Sequence, residues 1–168
     1  MAFRVFISYS THDIRLVDHL LTILNTPGVH AFAAEYSVLP GGYLSPEIIQ
    51  AIKDCDLFLL LWSQNAKDSE WVPQEIGIAV SDSKHIVPVV LEPHLSVPGF
   101  IQDRKYLPAY RSPSWAMQWI QQHVFAQADQ KRQQQINAFT GLAVGGALLW
   151  LVAQSGTGDE DEEDSIED

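Results

Sequence analysis

Basic residues are scarce: 10 lysines and arginines stand against 21 acids in 168 residues, for a formal charge of −11. A duplex nucleic-acid partner would need a basic stripe, and the chain has none. Eight of the acids crowd into residues 159–168 with no base among them; the remaining 13 face 10 bases, a balance of −3. The run itself reads as a solvated, disordered acidic tail. Cysteine is scarcer still. Cys55 stands alone, so no intramolecular disulfide can form, and its place between a helical stretch and an apolar strand suits a buried, inert thiol. The histidines (His12, His19, His30, His85, His94, His123) are scattered without metal-ligand spacing, so no metal is expected. Pro40-Gly41-Gly42 lacks the Lys-Ser/Thr of a phosphate loop, Gly77 belongs to no dinucleotide fingerprint, and no Gly-x-Ser-x-Gly elbow occurs. The start, Met1 to Val5, runs straight into a strand pattern without the features of a signal peptide.

What the chain does have is an apolar fraction of 46%, arranged in alternating periods. Phe3–Ser8 is a short β-rich run. Ile14, Val17, Leu20, Leu21 and Leu24 then fall at helical spacing until Pro27-Gly28 stops them. Val29–Ala34 predicts a second strand, and Glu35–Leu44 a loop around its Pro-Gly-Gly. Ser45-Pro46 is a good helix start, with Ile48, Ile49 and Ile52 as the apolar stripe. Leu57–Trp62 is six apolar residues in a row, the pattern of a central parallel strand covered on both faces. A helix from about Ser69 to Val80 follows, with Pro73 tolerable only in its first turn, then a strand over Ile86–Leu91. This order predicts an α/β fold, a flavodoxin-like three-layer sandwich around a parallel sheet. A short edge strand near Lys105–Leu107 and an amphipathic helix marked by Trp115, Trp119, Ile120 and Val124 complete the pattern.

In an open parallel sheet, ligands bind beyond the carboxyl ends of the strands. That rule nominates the loops Tyr9–Asp13, Glu35–Leu44 and Ser63–Trp71, with the hydroxyls of Tyr9, Ser10, Thr11 and Ser63. Trp71 and Glu75 are four residues apart and share one helix face. Near the helix start the backbone dipole favours an ionised Glu75. A carboxylate beside an aromatic platform suits cleavage of an N-glycosidic bond, since the ring stacks a base and the anion opposes oxocarbenium charge. The bland alternative is a solvated glutamate and a packing tryptophan.

Phe6-Ile7-Ser8-Tyr9-Ser10 with Asp13, Leu39-Pro40-Gly41-Gly42 with Ile48, Ala51–Leu57 through Ser63, Ser69-Glu70-Trp71-Val72-Pro73-Gln74-Glu75-Ile76, and Ile86-Val87-Pro88-Val89 occur in order over residues 3–125. In this they resemble the Toll/interleukin-1 receptor (TIR) domain family, in its prokaryotic branch. The resemblance implies a five-stranded parallel sheet and one of two trades. Some members are adaptors working through TIR–TIR contacts; others cleave NAD+ to nicotinamide and ADP-ribose or a cyclised product, often in antiphage defence. The enzymatic members carry a glutamate in a Trp-x-x-x-Glu setting, and Glu75 is the matching position. The residues then expected to meet NAD+, as substrate and not as cofactor, are Tyr9, Ser10, Thr11, Asp13, Gly41, Ser63 and Trp71. One departure is visible: where the family often has an aspartate after the second strand, this chain runs Phe32-Ala33-Ala34-Glu35-Tyr36.

The organisation expected is a TIR domain over 1–126, a polar helical linker over 127–137, a transmembrane helix over 138–153 and the acidic tail over 154–168. Extended back to Ile136, the apolar run reaches 18 residues, about 27 Å as a helix against a hydrocarbon core of about 30 Å. Lys131 and Arg132 on one side and acids on the other suit a single span with the TIR domain in the cytoplasm. Gly141 and Gly145 would permit close helix pairing. The alternative is an apolar helix that packs on the domain or forms a soluble oligomer.

Overall fold

The computed structural model describes residues 1–34 and 44–155, with side chains as far as Phe139. Five strands, β1 (Phe3–Ser8), β2 (Val29–Ala33), β3 (Leu57–Trp62), β4 (Ile86–Val90) and β5 (Leu107–Pro108), form one parallel sheet in the order β2-β1-β3-β4-β5. The helices are α1 (Ile14–Leu24), α2 (Pro46–Asp54), α3 (Gln64–Lys67), α4 (Val72–Ser81) and α5 (Pro113–Ser155). This is the expected flavodoxin-like α/β architecture.

Strand parity sorts the core into two layers. Val5, Ile7, Leu59, Leu61 and Val89 face α1 and the first part of α5, meeting Val17, Leu20, Ile120 and Val124. Phe6, Phe58, Leu60 and Trp62 face α2 and α4, meeting Ile48, Ile52, Val72 and Ile76. Each large side chain so buried contributes about 1.5–3 kcal/mol. On the second face the Phe6 and Phe58 rings stack 5.4 Å apart, tying β1 to β3.

Local sequence sets most boundaries. Ser45 Oγ accepts from the Ile48 N–H at 3.3 Å, with Pro46 opening α2. Gly28 has φ +98°, a conformation that favours glycine, and its carbonyl accepts from the Phe3 N–H at 2.8 Å where β1 begins. Cys55 is buried after α2, and desolvation pushes its thiol up to about 11, so it stays a thiol at neutral pH.

Several expected limits shift. β2 and β4 each stop one residue sooner, at Ala33 and Val90, and β5 is Leu107–Pro108. Helix α4 begins at Val72 because Ser69 stays outside it as a capping side chain, accepting from the Trp71 and Val72 N–H groups at 3.2 and 3.4 Å. The short α3 was not foreseen. α5 runs without a break through the stretch expected as a polar helical linker, since no Gly or Pro interrupts residues 114–140. One compact unit runs Met1–Asp129 and a second begins at Gln130. Among the described residues no helix is long and apolar enough to cross a membrane. The run 138–153, with Gly141 and Gly145, lies from Thr140 onward outside the described side chains. The loop carrying Pro40 and Gly41, and the tail from Gly156, lie outside the described residues.

Candidate active site

The carboxyl ends of β1 and β3 and the start of α4 meet at one place. Ser8 closes β1 with the same parity as Phe6, so its side chain enters the α2/α4 layer, where its neighbour in register is Leu60. On α4 the buried positions are Val72, Glu75, Ile76 and Ala79, the stripe of a helix packed on a sheet. Glu75 occupies a core position of that stripe and is 0% exposed. Ser8 Oγ donates to Glu75 Oε2 at 2.5 Å, while Oε1 has no hydrogen-bond partner among the described residues.

This burial corrects the expectation of an ionised Glu75. Desolvation pushes its carboxyl up to about 8, against a smaller opposing pull from the Ser8 hydrogen bond. Near a helix start the dipole is worth about 1 kcal/mol, whereas desolvating a carboxylate costs several. Burial wins, and Glu75 is held mostly protonated at neutral pH.

One turn earlier, half-buried Trp71 forms a wall of a cavity of about 280 Å³ together with Tyr9, Ser10, Thr11, His12, Asn65, Asp68 and Ser69. Its volume suits a nucleoside-sized portion of a ligand. Ser10 caps the turn Thr11–Asp13, its Oγ 3.5 Å from the His12 N–H and 3.3 Å from His12 Nδ1. Tyr9 is buried, with its body in the α1 layer, and Thr11 is exposed. Asp68 accepts from Gln64 Nε2 at 2.8 Å.

The other expected contacts divide. Ser63 Oγ donates to Asp13 Oδ2 at 2.6 Å and accepts from the Ala66 N–H at 2.9 Å, capping α3. Ser63 and Asp13 thus bind the β1 and β3 loops to each other and are not among the residues lining the cavity. Glu75 does not line it either. Gly41 lies outside the described residues. Sequence reasoning missed Ser8 as the partner of Glu75, and it did not single out His12, Asn65 and Asp68 within the loops it nominated. Only Ser8 carried a signal, a hydroxyl at an inward strand position.

The family model for the TIR domain matches residues 5–135. Among solved structures, the TIR domain of the Toll-related receptor TRR-2 from Hydra magnipapillata is similar at 21% identity and TM-score 0.51, covering 68% of this chain and 97% of that one. A metazoan TIR-STING receptor from C. gigas is similar at 24% identity and TM-score 0.50, over 67% of this chain and 39% of the receptor. Likeness at these identities shows the fold. No curated protein matches the sequence.

Proposed function

The chain belongs to the TIR domain family, and on that premise we propose that it cleaves the nicotinamide–ribose bond of NAD+, with Glu75 as the acting carboxylate. The observation that carries this reading is a glutamate fully buried at the strand tips, with one carboxyl oxygen bound by Ser8 and the other unpartnered among the described residues. An uncompensated buried carboxyl oxygen costs about 1–3 kcal/mol, a cost that a functional role for the carboxylate would account for.

Nicotinamide leaves as a neutral base, taking the bonding electrons, and the ribose carbon acquires oxocarbenium character. An anion beside it stabilises that charge. Water then adds, giving ADP-ribose and one proton; attack by another atom of the substrate would give a cyclic product instead. Glu75 must lose its proton to act. The substrate supplies the means, because a pyridinium cation within about 4–6 Å favours the charged carboxylate. Trp71, at the lip of the cavity, is the stacking surface. Because Glu75 is covered, access to it requires a rearrangement, and association of copies through TIR surfaces is the event proposed to provide it. The run 138–153 is proposed to tether the domain at a membrane, and ending the chain at Gln135 should release it from the membrane fraction.

The test is nicotinamide release from NAD+ by concentrated protein, beside Glu75→Gln. Release by the parent and not by the variant supports the reading; equal release by both removes Glu75 from the chemistry. A second reading, a non-catalytic TIR interaction module, is favoured by the complete burial of Glu75 and its 2.5 Å bond to Ser8, which also suit a structural pair. It predicts oligomers without turnover at any protein concentration.

A further inference from the structure

The opposite, amino-terminal edge of the sheet carries a second cavity, of about 620 Å³, within the compact unit Met1–Asp129. His85 immediately precedes β4, and Arg104 and Lys105 come just before β5. Trp119 and His123 close the cavity from α5. The His123 ring stacks on Trp119 at 4.4 Å and 16°, and lies 6.0 Å from the His85 ring. Gln127 Nε2 sits 2.8 Å from His123 Nε2, one turn along the same helix, so the amide holds the ring in place.

The charge pattern at this edge runs against that of the chain. Apart from its acidic tail the protein has a balance of −3, yet this cavity gathers two permanent cations and two imidazoles around a single carboxylate, Asp103. Neither Arg104 nor Lys105 takes part in an ion pair with another described residue, unlike Arg4, paired with Asp54, and Lys84, paired with Asp82. Tyr106, 47% exposed, adds an aromatic surface on the same rim. Unpaired cations favour a phosphate, and exposed rings favour a planar base.

We propose that this cavity binds a mononucleotide, its phosphate held by Arg104, Lys105 and the imidazoles, its base against Tyr106 and Trp119. The inference does not depend on NAD+ cleavage, since the site lies at the other end of the strands from Trp71 and Glu75. Full-length protein is titrated with 5′-AMP and, separately, with inorganic phosphate, following the ring-proton NMR shifts of His85 and His123 as a local readout. The expected result is saturable movement of both histidines by AMP, at least about tenfold tighter than by phosphate, because base stacking adds about 1–3 kcal/mol. Arg104→Gln with Lys105→Gln should weaken AMP binding by about tenfold or more, and Tyr106→Ala should erase much of its advantage over phosphate. Both changes are at the surface, and circular dichroism checks that the fold survives. AMP binding at the histidines unchanged in the Arg104/Lys105 variant, or no saturable shift up to about 10 mM, a range where binding is worth under about 3 kcal/mol, overturns the proposal. Equal affinities for phosphate and AMP overturn the nucleotide assignment.

Discussion

Ser8 and Glu75, 67 residues apart in sequence, meet at 2.5 Å where β1 ends and α4 begins, and both are fully buried. Among the described residues the hydroxyl is the only hydrogen-bond partner of the carboxyl, so the behaviour of Glu75 is set by two opposed causes: desolvation, which favours the protonated form, and one donated hydrogen bond, which favours the anion.

The first prediction isolates the charge. Glu75→Gln keeps the shape and can still accept from Ser8, but it cannot become an anion. Nicotinamide release should fall at least about 100-fold, the scale of a lost transition-state electrostatic contact. The melting temperature at neutral pH should hold or rise, because a neutral amide avoids the cost of protonating the carboxylate on folding. Loss of activity accompanied by unfolding would mean the effect was structural.

The second concerns pH. The folded-state pKa of about 8 exceeds the ordinary 4.5, so between those values the folded chain binds a proton that the unfolded chain has released. Stability from this group is therefore fully present below about pH 4.5, declines as pH rises through the window, and levels off above about pH 8. The loss is on the order of a few kcal/mol. Thermal melts of the parent and Glu75→Gln across pH 5–9 report it as a difference: the parent should lose ground to the variant as pH rises. A constant difference would show that Glu75 has an ordinary pKa.

Burial of Glu75 was legible in part. Val72, Glu75, Ile76 and Ala79 already stand at the spacing of a buried stripe, but the nearby helix start favours the reading of a solvated acid at the positive end of a dipole. Only the three-dimensional cover decides between them, and it comes from residues far away in sequence. β1 and β3 were legible to the residue because continuous apolar runs end abruptly in polar loops at Tyr9-Ser10 and Ser63. β5 was harder, being two residues in a proline-rich stretch whose strand character comes from pairing with Val89 and Val90. The start of α4 was misplaced because Ser69 caps it from outside the helix. The tie between Asp13 and Ser63 joins two loops 50 residues apart and left no periodic trace.

The third prediction follows from the hydroxyl of Ser8. Ser8→Ala removes the one hydrogen bond that pulls the Glu75 pKa down, so that pKa should rise further. The limb of the pH–activity profile on which Glu75 ionises should move to higher pH, and activity at neutral pH should drop while recovering in part as pH rises. Stability should fall by about 1–3 kcal/mol, since a buried polar group loses its partner. A pH profile unmoved by the substitution would separate the limb from Glu75.

The fourth prediction separates scaffolding from substrate contact. Ser63 Oγ both donates to Asp13 and accepts from the Ala66 N–H, so Ser63→Ala loses an N-cap and a cross-loop bond together. The cap alone is worth about 1 kcal/mol, whereas Asp13→Asn, which leaves the cap in place, removes only the charge from the cross-loop bond. In a double-mutant cycle by chemical denaturation, the coupling between the two positions should reach about 0.5–3 kcal/mol, as for residues in direct contact. Trp71→Ala should behave differently: it lines the cavity and takes no part in that tie, so its main effect should be a raised KM for NAD+ with Trp71→Phe restoring much of the loss. If Ser63→Ala instead raised KM as strongly as Trp71→Ala while leaving stability untouched, Ser63 would be a substrate contact, and the division drawn between the loop tie and the cavity would be wrong.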